Sequence, residues 1–187
     1  MPQQGIIAIE RMDGAAAVRA GEAFRLIYAE AFAEPPYGET EEDVAAAFRR
    51  FPVQARKHGF RAVLARAEGD GEPIGMAYGF PLGPDTVWWD ELTEPVPEAM
   101  RREDGRRTFG LMELAVRGPW RGQGVARRLH TALLLDAVGA ERVMLNVNQA
   151  SGEASAAYRA WGYRKIGEAR PLVDGAELRD VMLLDLR

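Results

Sequence analysis

Cysteine is absent from this 187-residue chain, and serine and histidine are nearly so, with Ser151 and Ser155, His58 and His130 the only examples. The missing thiols exclude disulfides and thiolate metal sites. Neither serine sits in a G-x-S-x-G elbow, so covalent catalysis through Ser or Cys has almost no candidates. The histidines are far apart in the chain and lack metal-ligand spacing, so no metal is expected; they read as a helix-end His58 and a helix-face His130. Long apolar runs are missing too. The run over 131–135 is cut by Asp136, far short of the roughly 18 to 20 residues that span a bilayer, and no membrane partner is expected. The opening "MPQQGIIAIERMDG" has no basic start and only a short apolar stretch, which does not read as a secretory signal and leads to an expectation of a cytoplasmic protein. An excess of positive charge is also lacking. The net charge is −4, which disfavours nucleic acid as the main partner, because phosphate-backbone binding needs a net or clustered positive field.

What is present is a globular composition, with 47% hydrophobic and 28% charged residues. A chain of this size buries about 70% of its unfolded surface, and it reads as a single domain over 1–187. Strand and helix patterns alternate along it. "GIIAIE" (5–10) is a short strand, and Val18, Phe24, Ile27 and Phe32 have the spacing of a helix over 15–32. After the breaker "AEPPYGET", Thr40 followed by "EED" caps a helix reaching about residue 56. "FRAVLARAE", the turn "GDGE" and "PIGMAYGF" read as a hairpin, with "DG" supplying the positive-φ turn. The segment 81–107 is a long loop rich in Pro and Trp, of a kind that is usually functional or disordered. Strand 108–116, helix 124–137, strand 142–148, helix 152–161 and strands 163–168 and 178–186 complete the pattern.

The most informative stretch is "ELAVRGPWRGQGVARRLHTALL", a strand running through a glycine-rich turn into an amphipathic helix. Gly122 and Gly124 let the backbone bend tightly and approach a ligand. Unpaired amides of the first helical turn then suit a phosphate, and Arg121, Arg127 and Arg128 add positive charge. A plain strand-to-helix turn with a solvated basic face is the other reading. There is no G-K-[ST], so no Walker loop, and the third glycine of the dinucleotide fingerprint is missing.

With "RGQGVA" as R-x-x-G-x-A, "ELAV" before it and "AAYRAWGYRKIGE" after it, the chain resembles the GNAT superfamily of acetyl-CoA-dependent N-acetyltransferases. The resemblance implies an α/β fold with a mixed, mostly antiparallel central sheet flanked by helices. It implies that Arg121, Gly122, Gln123, Gly124, Val125 and Ala126 cradle the pyrophosphate of coenzyme A. Leu114, Ala115 and Val116 would pair by backbone with the pantetheine arm, one of their amides taking the acetyl oxygen. Family members often carry an asparagine seven residues before the tyrosine of the next helix; here that position, a wall of the pantetheine channel, is Ser151.

Direct attack of an amine on a thioester needs the amine deprotonated, the carbonyl oxygen stabilised and the leaving thiolate protonated. No nucleophilic side chain is required, which suits this composition. Tyr158 matches the tyrosine of the family's Y-x-x-x-G-[FY], whose hydroxyl reaches the sulfur. With a phenol pKa near 10 and a thiol near 8.5, full proton transfer is uphill by roughly 2 kcal/mol in unperturbed form, so hydrogen bonding to the sulfur is the minimum role. The other reading makes Tyr158, with Ala154 and Trp161, a core stripe. Glu113, a lone carboxylate in an apolar strand, is either a general base or an acid of opposite parity facing away and paired with an arginine. Water-relayed deprotonation, or a base from the loops such as Glu34, is the other route.

The acceptor pocket is expected at Glu34 and Tyr37 in "EAFAEPPYGE" and at Trp88 and Trp89 in "VWWDEL", which combine rings with carboxylates; the alternative packs one tryptophan in the core and uses the other to anchor the loop. The expected partners are therefore acetyl-CoA and a small, cationic amine, with a homodimer left open. A peptide or protein acceptor, a longer acyl chain and a non-catalytic acyl-CoA-binding module are the rival readings.

Overall fold

A computed structural model describes residues 6–137, 139–171 and 177–187. The strand expected over 5–10 is β1, Ile7–Met12; Gly5 lies outside the described residues. The helix expected over 15–32 is two helices, α1 (Gly14–Arg19) and α2 (Gly21–Ala33). Asp13 caps α1 by accepting from the Ala16 amide, and at its end the Ala20 amide is shared between the carbonyls of Ala16 and Val18. Val18 belongs to no core stripe, being 45% exposed, whereas Ala17, Phe24, Ile27, Tyr28 and Ala31 are buried. Two short helices each turn their own face inward, and one straight helix would not. Thr40 caps α3 (Glu41–Gln54) as expected, in a reciprocal box with Asp43, so two orphan amides of the helix start are satisfied.

The remaining elements are β2 (Arg61–Ala67), β3 (Pro73–Pro81), α4 (Glu98–Arg101), β4 (Thr108–Val116), α5 (Val125–Leu134), β5 (Arg142–Asn148), α6 (Gly152–Ala160), β6 (Arg164–Ala169) and β7 (Arg179–Asp185). They form a seven-stranded mixed sheet of order β1-β2-β3-β4-β5-β7-β6, in which β4 and β5 run parallel. The chain divides into two compact units, Met1–Phe80 with Met112–Val138 and Pro81–Leu111 with Gly139–Arg187. Each receives one half of β4.

In the first unit, β1, β2 and β3 are antiparallel, and the expected hairpin turn has positive φ at both Gly69 and Gly71. Phe24, Phe51, Phe60 and Tyr78 form a continuous ring cluster with centroid spacings of 5.1 to 6.5 Å, which ties α2 and α3 to β3 and to the residue that leads into β2. Such ring pairs add about 0.5–1.5 kcal/mol each beyond burial. α5 packs by its Leu129 and Val125 side chains against Gly75 of β3. A Cβ there would lie 2.9 Å from Leu129 and 3.2 Å from the Ala115 carbonyl, so the missing side chain sets how closely the start of α5 approaches the sheet.

In the second unit, β7 lies between β5 and β6 and is antiparallel to both. The segment 81–107 is ordered: it holds a short 3₁₀ turn, Trp88–Glu91, and α4. Its anchor is a buried polar network. Glu103 Oε1 accepts from Trp89 Nε1 at 3.1 Å, Thr108 Oγ1 at 2.7 Å and Arg142 Nη2 at 2.9 Å, while Arg142 Nε donates to Thr108 Oγ1. The Arg142 guanidinium also lies over the Trp89 ring. No helix among the described residues is long and apolar enough to cross a membrane, and none of their His, Cys, Asp and Glu side chains group to hold a metal.

Candidate active site

β4 ends at Val116 and passes through a 3₁₀ turn, Gly118–Trp120, into the glycine turn. Gly122 and Gly124 have φ of 71° and 79°, a left-handed backbone that disfavours a Cβ, and Gly124 is the residue before α5. From Gly122 to Arg127 no main-chain amide donates a hydrogen bond among the described residues; the first helical bond is Arg128 N–H to the Gly124 carbonyl, 3.1 Å. Six consecutive free donors at the positive end of a ten-residue helix suit an anion by charge and hydrogen bonding. All of Arg121 to Gly124 is exposed, Val125 is buried and Ala126 is half-buried. Gln123 folds its amide back on the Pro119 carbonyl. Arg128 donates to the Ile7 carbonyl of β1, and both Arg127 and Arg128 are exposed.

Two ion pairs clasp α2 to this strand-and-turn. Arg117 binds Glu30 at 2.7 Å, Glu72 and the Pro73 carbonyl. Arg121 binds Glu34 at 2.6 Å through Nη1 and donates through Nε to the Val116 carbonyl at 2.9 Å. Glu34, expected at the acceptor pocket, thus has its carboxylate on the glycine turn. Tyr37 stacks edge-on against Phe32 in the short loop that follows.

Leu114 is half-buried, and Ala115 and Val116 are buried. Glu113 is half-buried, and its charge acts on two phenols, Tyr28 of α2 and Tyr78 of β3. Both phenols are held far above the usual tyrosine range, first by burial and then by Glu113; Tyr28 also donates to Glu39 Oε1 at 3.0 Å. Two carboxylates and two protonated phenols therefore share one region of the first unit. Sequence reasoning missed Tyr28, Tyr78 and Glu39. The tyrosines lie among buried apolar neighbours, and the polar ends of such residues leave no periodic signal in a sequence.

The second unit holds the other expected residues. Tyr158 is buried on α6, with the rings of Trp161 and Tyr163 each 5.5 Å away and edge-on. Ser151 is buried at the start of α6, its amide on the Asn148 carbonyl. Trp88 is half-buried, its amide on Thr86 Oγ1. Trp89 is 3% exposed and held by Glu103 and Arg142, as in the core-and-anchor alternative. On β5, Asn146 Oδ1 is shielded and accepts no hydrogen bond among the described residues.

The strand, the glycine turn with its six free amides and the helix start follow one another directly, and the acetyltransferase (GNAT) family model matches residues 22–163. The chain belongs to the GNAT family of acetyltransferases. Its fold is that of known structures at low identity. A putative GNAT acetyltransferase from Desulfovibrio desulfuricans superposes with a TM-score of 0.69 at 15% identity, covering 97% of this chain and 100% of that one. Aminoglycoside 6'-acetyltransferase type Ii gives 0.65 at 15% identity, covering 95% and 96%. The NatC complex bound to Gag peptide and CoA gives 0.62 at 16% identity, covering 97% and 99%. No curated protein matches by sequence. Across the family, acetyl-CoA is the acyl donor.

Proposed function

We propose that this GNAT chain, acting as one domain, moves the acetyl group of acetyl-CoA to the amine of a small, cationic acceptor by direct attack. The observation that carries the proposal is the run of six free amides from Gly122 to Arg127, which fits a diphosphate and has no structural use in the turn itself. Acetyl-CoA supplies the activated thioester carbonyl. In this reading the backbone of Leu114, Ala115 and Val116 holds the pantetheine arm.

The acceptor side is supported by Glu113, Glu39, Tyr28 and Tyr78. Neutral phenols beside two carboxylates suit an ammonium group, which charge and ring faces both attract. Glu113 takes the proton that the ammonium must lose. The new C–N bond forms as the C–S bond breaks, the Tyr158 hydroxyl hydrogen-bonds the departing thiolate, and the second proton lost by the nitrogen balances the one the thiol takes up. Tyr37, in the loop after α2, offers the acceptor an aromatic face.

Release of free thiol from acetyl-CoA and longer acyl-CoAs, measured with cationic amines, neutral amines and peptides, tests this. We expect turnover with acetyl-CoA and a cationic amine, and a loss of kcat of about 10² or more in Glu113→Gln with the affinity for acetyl-CoA kept. Turnover with peptides alone would overturn the acceptor assignment, and binding without turnover across the panel would overturn the enzymatic one.

A further inference from the structure

We infer that Glu34 is an internal stand-in for the diphosphate of acetyl-CoA: it holds the turn's arginine, Arg121, until the cosubstrate displaces it, and so links the cosubstrate turn to the loop that begins the acceptor side. This rests on the acetyl-CoA reading above and adds to it a positioning role for a residue first assigned to acceptor contact.

The two clasps on α2 have the same spacing and different character. Glu30 and Glu34 are one helical turn apart, as Arg117 and Arg121 are four residues apart on the facing strand-and-turn. Arg117 is 16% exposed and satisfied by Glu30, Glu72 and the Pro73 carbonyl, so it is a fixed rivet. Arg121 is 39% exposed and its partner Glu34 is 50% exposed. An ion pair in that much water contributes little to stability and exchanges its anion readily.

Arg121 keeps a second attachment. Its Nε sits on the Val116 carbonyl, so the guanidinium can trade the carboxylate on Nη1 for another anion while staying at the mouth of the turn. The anion that the neighbouring amides fit is a diphosphate, which carries more charge than a carboxylate and engages the free donors of Gly122 to Arg127 as well. The exchange therefore runs toward the ligand.

Glu34 is also the residue that closes α2, and its carbonyl accepts the amides of Tyr37 and Gly38. The far end of this loop is tied by the Glu39 amide to the Phe32 carbonyl and by Glu39 Oε1 to Tyr28. Displacement of the Glu34 side chain leaves that backbone turn in place and frees one negative charge beside Tyr37. A cationic acceptor then meets a more acidic loop once acetyl-CoA is bound, and by linkage the acceptor favours acetyl-CoA equally.

Calorimetry of acetyl-CoA binding to the full chain tests this in wild type, Glu34→Gln, Glu34→Ala, Arg121→Gln and the Glu34→Gln/Arg121→Gln pair. We expect both Glu34 variants to bind acetyl-CoA about two- to fivefold more tightly, the size of an exposed ion pair's contribution, and Arg121→Gln to bind more weakly. In the Arg121→Gln background, Glu34→Gln should give no gain. Loss of a merely structural contact would not tighten binding. Unchanged or weaker binding in both Glu34 variants overturns the inference while leaving the acetyl-CoA reading intact, as does a gain that persists without Arg121. A wild-type chain that fails to bind acetyl-CoA overturns both.

Discussion

The buried network around Glu103 allows a perturbation whose size follows from its geometry. Glu103 Oε1 accepts three hydrogen bonds, from Trp89, Thr108 and Arg142, and the side chains of Glu103 and Arg142 are 1% and 7% exposed. Glu103→Ala removes all three and leaves the Arg142 cation buried without its counter-charge. Breaking a buried pair from one side costs about 3–5 kcal/mol. Two contacts favour the lower end, because Arg142 Nη2 keeps the Met100 carbonyl and the guanidinium stays over the Trp89 ring. For a chain of this length about 3 kcal/mol lowers Tm by roughly 6–12 °C. Thermal unfolding followed by circular dichroism reads it. The paired change Glu103→Leu/Arg142→Met removes both charges together, and such apolar replacements are often neutral, so the double variant should melt above Glu103→Ala by several degrees. A Glu103→Ala melt within about 1 kcal/mol of wild type would refute the account, as would a double variant as unstable as the sum of its parts.

Three further outcomes follow from the site. Tyr158→Phe keeps the ring contacts with Trp161 and Tyr163 and removes only the hydroxyl, so kcat should fall about 10² to 10⁴ with acetyl-CoA affinity kept; an unchanged kcat, where chemistry limits turnover, returns Tyr158 to a packing role. Gly124→Asn should fold, because asparagine tolerates the left-handed backbone and a Cβ there meets no protein atom, yet its side chain should weaken acetyl-CoA binding at least tenfold, about 1.4 kcal/mol, in calorimetry. His130 is pushed down to about 4, first by burial and then by the charge of Arg127, so between that value and the unfolded 6.5 the unfolded chain binds more protons and stability falls as pH drops through this window, by up to about 3 kcal/mol; chemical denaturation at pH 7 and pH 4.5 should show the loss, and His130→Gln should remove most of the difference.

The parts of this fold that were legible in sequence are those whose cause is local. Thr40 with Asp43, the glycines of the hairpin, and the strand, turn and helix around Gly122 and Gly124 each occur where the sequence puts them, because caps and positive-φ turns depend on adjacent residues. The break at Ala20 was not legible, since Val18 has the right spacing for a buried face and is at the surface. Segment 81–107 read as a loop of unknown order because its anchor joins Glu103 to Arg142, 39 residues away, and no periodicity reports a buried salt bridge. Trp89 shows the same limit. Beside Trp88 in "VWWDEL" it looked equally suited to a pocket, yet a buried carboxylate claims its indole N–H.

Glu34 shows why residue type and position are not enough to assign a role. A carboxylate in an aromatic, Pro-rich loop suits an ammonium acceptor by composition, and the same carboxylate suits an arginine by geometry. Its placement is decided by α2, which spaces Glu30 and Glu34 one turn apart, and by the 3₁₀ turn Gly118–Trp120, which sets Arg117 and Arg121 opposite them. Neither spacing is unusual alone; their match is a tertiary fact. The match also separates two jobs that composition would merge. The shielded pair at Arg117 holds the helix to the strand, and the exposed pair at Arg121 can open at little cost to the fold. The glycine turn is then held ready by a charge that water already half-solvates, and a ligand that brings two phosphates to six free amides has only that weak contact to displace.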